Sequence, residues 1–318
     1  MLEKNDAIDL SVVIPAYNSS IALKQVLEDT ALVFKNANIR GEIIVVNDGG
    51  NEDTWQNINL WIQAITCRTT AIRLTRNFGQ HNATLCGIGY CSAPAIVTID
   101  DDMQNVPEDI VLLYEAYKES DCDLVYGIFD KKHHGTVQNM GSAYVKKSSA
   151  VLMDNPGKGS SFRLIKRTLA QQIFQHQQSF VYIDELLLWY TDHIKYVKVR
   201  HQKSVAPSRY GLLKLFIMSF NITTNYTALP LKFITYLGLF SSIFSFVLGL
   251  FFIYRKLVKD VPMGYTSMIV AVLFSASIIM LSLGILGQYI FKMYQSQQKR
   301  PMYTIRKRTE HSPADATE

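Results

Sequence analysis

Three consecutive carboxylates, Asp100, Asp101 and Asp102, follow directly on the apolar run AIVTI. Like charges this close repel, so the triplet costs stability unless something positive neutralises it. A hard divalent cation, Mg2+ or Mn2+, does so: it takes carboxylate oxygens together with ligand phosphate, and an Asp-x-Asp pattern at a strand end turns Asp100 and Asp102 toward one crevice. The triplet also reads as a solvated acidic turn, since Pro107-Glu108-Asp109 is itself a helix-start signature.

Further polar clusters follow other apolar runs. Asn47-Asp48-Gly49-Gly50 offers an amide and a carboxylate to a nucleotide base or ribose, and equally suits a tight turn. Tyr17, two residues after Pro15, could stack on a base or stand as a rim aromatic. Arg76 has the fork for a bidentate phosphate contact or for holding the acids in place. Arg163, in SSFRL after a Gly-Lys-Gly segment, reads as a second phosphate ligand or as a surface charge. Asp184-Glu185 opens a helical run to Tyr190, where either acid could act as a base or favour the helix dipole. His133-His134 reads as loop. No Walker loop, no GxGxxG after a strand and no GxSxG elbow occurs, which removes the main signatures of ATPases, dehydrogenases and esterases.

The elements that must position these residues are legible between Leu10 and Gly127. Short β-branched runs (SVVIP, EIIVV, TAIRL, AIVTI, DLVYG) alternate with amphipathic stretches such as ALKQVLEDTALVFKNA, which predicts an α/β fold with a parallel sheet and helices on both faces. In such a sheet the carboxyl ends of the strands line one crevice, so the polar clusters meet there. The predicted domain covers 1–207.

Charge and hydropathy divide the rest. Two charge-free stretches, Ile234 to Tyr254 and Pro262 to Phe291, are each long enough to cross a ~30 Å hydrocarbon core. The interrupted apolar segment 208–233 predicts an interfacial helix, and 292–318 reads as a basic tail ending in disorder. Nine basic residues flank the proposed hairpin against three in its connector, which places the N-terminal domain and the tail in the cytoplasm. The net charge of +5 is too diffuse to indicate nucleic acid. Cys67, Cys86, Cys91 and Cys122 show no metal-ligand spacing and suit a reducing compartment. The polar N-terminus has no signal-peptide core.

Taken in order, SVVIPAYN, VVNDGG, LTRNFGQHNA, TIDDDMQNVPEDI, SSFRL, PSRYGLLKL and LGILGQYIFKMY…KRPMY resemble the family 2 glycosyltransferases that load a sugar onto polyprenyl phosphate, in particular the bacterial undecaprenyl-phosphate glucosyl- and aminoarabinose-type enzymes. The resemblance implies a GT-A fold, a nucleotide-diphosphate sugar donor (UDP- or dTDP-linked), inverting transfer to undecaprenyl phosphate, a multi-pass protein of the bacterial inner membrane, and a homo-oligomer, often a tetramer. It implies that Pro15, Tyr17, Asn47 and Asp48 serve the nucleoside, with Arg76 and Asp101 on the donor side. Asp100 and Asp102 serve metal and diphosphate, Gln104 lies near the sugar or leaving group, and Arg163 and Arg209 face the lipid phosphate, with Asp184 a reserve base. The chain departs from the family pattern at Ser19, at Asn47 and Gly50 of the Asp-Asp-Gly-Ser motif, and at Ser161, where many members carry an acid. Two other readings, a processive polysaccharide synthase and a catalytically inactive membrane scaffold, predict more spans with a Gln-x-x-Arg-Trp segment, or nucleotide binding without lipid product.

Overall fold

The computed structural model describes residues 8–18, 21–129, 160–174, 182–200, 202, 265–297 and 301–313, together with part of 235–258. Arg209, the 208–233 segment, His133-His134 and the Gly-Lys-Gly segment before Ser160 lie outside the described residues. The chain divides into two units, one comprising 1–134, 158–208 and 299–318, the other 135–157 and 209–298.

The first unit is built on one sheet. Its strands are β1 (Leu10–Ala16), β2 (Gly41–Asn47), β3 (Arg68–Leu74), β4 (Ala95–Thr98), β5 (Leu124–Phe129), β6 (Arg163–Lys166), β7 (Ile194–Val199) and β8 (Ile305–His311), in the order β7-β5-β6-β4-β1-β2-β3-β8. Every residue of β1, β2 and β4 is buried, as expected of strands covered on both faces. The helices are α1 (Ile21–Asn36), α2 (Glu52–Gln63), α3 (Gln80–Gly89), α4 (Ile110–Glu119), α5 (Arg167–Ile173) and α6 (Ile183–Tyr190).

Side-chain alternation along the strands sorts the core into two layers. Val12, Ile14, Ile43 and Val45 pack with Leu23, Leu27, Ile58 and Leu113 from α1, α2 and α4. Val13, Ile44 and Val46 pack on the other face with Ala83, Leu85, Leu169 and Leu187 from α3, α5 and α6. In α1 the buried positions Leu23, Val26, Leu27, Thr30, Ala31 and Phe34 recur at helical spacing and form one stripe. The start of α2 is fixed by Asn51, whose side chain accepts the Thr54 N–H at 2.8 Å. α3 lies very close to β1, for a Cβ on Gly87 would stand 2.4 Å from Val13 Cγ1.

The sheet is mixed, not wholly parallel as the sequence predicts. β1, β2, β3 and β4 are parallel and joined by helices, but β6 runs antiparallel between β4 and β5, and β8 runs antiparallel along β3. The second difference is in the C-terminal segment read as a basic tail. Residues 305–311 are a strand of the same sheet, with Thr75 N–H donating to the Thr304 carbonyl at 2.9 Å just before it.

In the second unit, helix α7 (Tyr265–Gln297) runs 33 residues, starting inside the apolar stretch and ending beyond Phe291. Its window Phe274–Phe291 is long and apolar enough to cross a membrane, and it is the one such helix among the described residues. The stretch from 235 is helical at its described positions, and Tyr236, Phe240, Phe244 and Phe251 are exposed there.

Ending the chain at residue 300 should therefore cost more than a tail would. Loss of the ladder on β3, at ~0.5 to 1.5 kcal/mol per net hydrogen bond, is expected to lower the melting temperature of the detergent-solubilised protein by about 5 °C or more. An unchanged melting curve would show that β8 contributes nothing to the domain.

Candidate active site

The strand order places β1 between β2 and β4, so the chain turns in opposite directions from β1 and opens a crevice at the carboxyl ends of these strands. The turns after β1, β2, β3 and β4 carry the clusters singled out above.

On the β1–β2 side Pro15 is buried within β1 and Tyr17 is 53% exposed at its mouth. Asn47 ends β2 fully buried. Asp48 reaches across to the next loop: its Oδ1 accepts the Phe78 N–H at 2.7 Å and its Oδ2 the Gly79 N–H at 2.8 Å. Burial raises its pKa against the pull of those two amides. Gly49 sits at φ +71°, and a Cβ there would fall 2.1 Å from the Arg76 carbonyl carbon, so the two turns touch through a position that requires glycine. Arg76 is exposed, with its guanidinium 4.8 Å from the centre of the Phe78 ring.

At the end of β4 the carboxylates are held by uncharged donors. Asp100 Oδ1 accepts from Gln80 Nε2 and Oδ2 from Ser161 Oγ, each at 2.6 Å. Asp102 Oδ1 accepts the Gln104 N–H at 3.0 Å and Oδ2 the Gln104 side-chain amide at 2.7 Å. Met103 between them adopts φ +62°, a left-handed conformation uncommon for a non-glycine residue. Burial pushes Asp100 up to about 6, with Asp102 and Asp101 adding to the rise and Ser161 and Arg163 opposing it. Each of these four oxygens accepts one hydrogen bond and keeps a further lone pair. No cluster of three metal-ligating side chains occurs among the described residues. With one lone pair left on each oxygen, the Asp100 and Asp102 pair fits a cation that takes one or two carboxylates and completes its shell from phosphate and water, as Mg2+ does.

Arg163 is not placed as a mobile phosphate ligand. It is the first residue of β6, paired in register with Thr98, and 2% exposed. Its guanidinium donates to Asp184 Oδ1, an oxygen that also accepts the Tyr126 hydroxyl at 2.9 Å. The buried Asp184 carboxylate, proposed as a reserve base, is thereby committed to an arginine and a phenol. Against it, on α3, His81 packs its ring 4.6 Å from that of Tyr182, and burial together with Arg163 lowers its pKa to about 4, so the imidazole is neutral. Glu185 is 8% exposed, and burial alone raises it to about 7.

Gln80, His81 and Tyr126 were not singled out in the sequence. The first two open α3 directly after the Arg76-Asn77-Phe78-Gly79 turn, so their place at the crevice follows from that turn. Tyr126 lies inside the run DLVYG and reads only as core. Beyond the carboxylates, the Gln104 carbonyl accepts the Gln202 N–H at 3.0 Å, and buried Asp109 accepts the Arg200 N–H at 2.7 Å and its Nε at 2.8 Å. The exit of β7 is thus tied to the loop that carries Asp100 and Asp102.

Over 96% of its length the chain is 27% identical to the undecaprenyl-phosphate 4-deoxy-4-formamido-L-arabinose transferase of Pseudomonas paraeruginosa, covering 92% of that protein. It is also 27% identical to the prophage-derived bactoprenol glucosyl transferase of Shigella flexneri, over 96% of this chain and 99% of that one. The Mycobacterium tuberculosis glucosyl-3-phosphoglycerate synthase, solved with Mn2+ and uridine-diphosphate-glucose, superposes with a TM-score of 0.44 at 18% identity, over 68% of this chain and 77% of the other. The sequence model described as Glycosyl transferase family 2 matches residues 11–174, more than half of the chain and all of the crevice from β1 to β6. The protein is a glycosyltransferase and belongs to glycosyl transferase family 2.

Proposed function

We propose that the protein moves a sugar, with inversion, from a nucleotide-diphosphate sugar to polyprenyl phosphate at the cytoplasmic face of a bacterial inner membrane. The observation that carries the transfer chemistry is the pair Asp100 and Asp102 at the end of β4, each oxygen fixed by one donor and open on its other lone pair. The acceptor rests on the near full-length similarity to relatives named for undecaprenyl phosphate and bactoprenol.

Asp100 and Asp102 would hold the Mg2+ or Mn2+ ion, which when bound supplies positive charge to the departing diphosphate. The chain's own residues do the remaining work. Gln80, Ser161 and Gln104 fix the carboxylate orientations before any ligand arrives, which is the preorganisation that charge stabilisation needs. Arg163 supplies a buried positive charge behind Asp100, which lowers the cost of three adjacent acids. The Asp48 and Gly49 turn, with Tyr17 at the rim, receives the nucleoside. A phosphate monoester has a second pKa of about 6, so the acceptor is already largely a dianion and attacks the anomeric carbon without losing a proton to a base. One bond forms from phosphate oxygen to that carbon, the bond to the diphosphate breaks, and the configuration inverts. Asp184, already carrying two donors, is not required as a base in this scheme.

Chain topology supports the membrane reading. β8 belongs to the sheet that also holds β1 to β7, so the chain leaves this unit after residue 208 and re-enters it from 299 on. A chain whose two ends lie on one side of a bilayer crosses it an even number of times. With Phe274–Phe291 as one crossing, the charge-free stretch 234–254 serves as the other.

Membranes assayed with UDP-, dTDP- and GDP-sugars should form a lipid-linked monosaccharide with one of them. Asp102→Asn should abolish that product with an unchanged melting temperature, and EDTA should do so reversibly; near-normal turnover of the variant at saturating Mn2+ would sink the assignment.

Removing Arg163 should be costly because it strands a buried carboxylate. Arg163→Ala is expected to lose about 3 to 5 kcal/mol of stability, and adding Asp184→Asn should restore part of it. Equal stability of the wild type and Arg163→Ala in thermal melts would contradict the buried pair.

A further inference from the structure

Arg73 and the returning strand β8 bear on the donor side of the crevice. Ala16, Asn47, Arg73 and Lys307 are register partners across β1, β2, β3 and β8, so they form one row at the carboxyl ends of the parallel strands, next to the turn 48–50. The Gly50 peptide of that turn is gripped from both sides. Its N–H donates to Asn47 Oδ1 at 3.0 Å, and its carbonyl accepts from Arg73 Nη2 at 3.1 Å. Arg73 is 5% exposed, and its other terminal nitrogen donates to Glu52, the first residue of α2. Lys307 of β8 stands 3.6 Å from the same Glu52 carboxylate. Two donors in the row are left over, for Asn47 Nδ2 and Arg73 Nε are buried without an acceptor among the described residues.

An ordinary core strand has no use for a guanidinium, and burying one costs free energy unless it is paired. Here it is paired through a single half-exposed glutamate, and its Nη2 is spent on one peptide carbonyl, that of the turn carrying Asp48. Rotation of the Gly50 peptide would shift Gly49, where an added Cβ would lie 2.1 Å from the Arg76 carbonyl carbon and 2.4 Å from the Asn77 nitrogen, and with it the Asp48 carboxylate that organises the start of α3. The two orphaned donors indicate what the site lacks. A carboxylate at position 47 would replace the first with an acceptor on the register partner of Arg73 while still accepting the Gly50 N–H.

We propose that Arg73 is a positioning residue for the nucleoside end of the donor, holding the Asp48–Gly50 turn through the Gly50 carbonyl and braced by Glu52 and β8. This rests on the reading that the β1–β2 end of the crevice takes the nucleoside. The full-length protein in detergent would be followed by hydrogen exchange over residues 47–52 and by calorimetric titration with UDP, dTDP and GDP in the presence of Mn2+.

Arg73→Gln should speed exchange in that turn and weaken the nucleoside diphosphate the wild type binds by about tenfold, the worth of a hydrogen bond from a charged donor. In the transfer assay the KM for a prenyl phosphate should stay unchanged. If Arg73→Gln does not fold, Arg73→Lys should keep the ion pair with Glu52 and still loosen the turn. Asn47→Asp should slow exchange and raise the melting temperature, and it should lose both effects when Arg73 is replaced. Equal rises in donor and acceptor KM, or the same Asn47→Asp effect in both backgrounds, would overturn the proposal. Should the wild type bind none of the three nucleotides, the proposed function fails, and the brace is then judged by exchange alone: unaltered exchange in Arg73→Lys overturns it.

Discussion

Three adjacent carboxylates at the end of a buried strand are the constraint around which the domain is arranged. They repel one another, and the sheet places them, each only partly exposed, where β4 meets β1. The fold answers in two ways. Uncharged donors from three different segments, Gln80, Ser161 and Gln104, fix the oxygens of Asp100 and Asp102. A buried cation, Arg163, enters from the antiparallel strand β6, with Asp184 and Tyr126 holding it there. This explains why β6 is inserted beside β4. A parallel strand reached by a helical crossover would still fill the sheet, but the antiparallel β6 sets its first residue, Arg163, opposite the last residue of β4.

Much of this was legible in the sequence because strand ends are legible. Continuous Val and Ile runs mark buried strands, and in an α/β sheet the polar residues after them share a crevice, so Asp48, Asp100 and Asp102 could be grouped without coordinates. The burial of Arg163 was not legible because β6 is only four residues long and follows a Gly/Ser stretch, so nothing distinguishes RLIK from the edge of a loop. Strand β8 was missed for a related reason. IRKRTEH is an exposed edge strand with charged side chains, the composition by which proteins protect sheet edges, and it lacks the apolar alternation that reveals a half-buried strand. Arg73 was hidden inside TAIRL, where a single arginine does not disturb a strand reading. Burial of a charge is decided by partners distant in sequence, and for Arg73 these are Gly50 and Glu52.

β8 returns the chain to the first unit in a way composition does not suggest. The segment after α7 completes the sheet beside β3, and its Lys307 reaches Glu52. The turn after β2 and the segment 305–311 are therefore tied to one hydrogen-bonded sheet.

The central claim is that Asp100 and Asp102 form half of a metal site which the donor's diphosphate completes. Titration of Mn2+ into the protein with and without a nucleoside diphosphate measures this directly, since coupling between two ligands is reciprocal. The account predicts weak Mn2+ binding alone, strengthened at least tenfold by the nucleotide and abolished by Asp102→Asn, with ~1.4 kcal/mol as the minimum coupling energy. Tight Mn2+ binding that ignores the nucleotide, or nucleotide binding that ignores Mn2+, would contradict it.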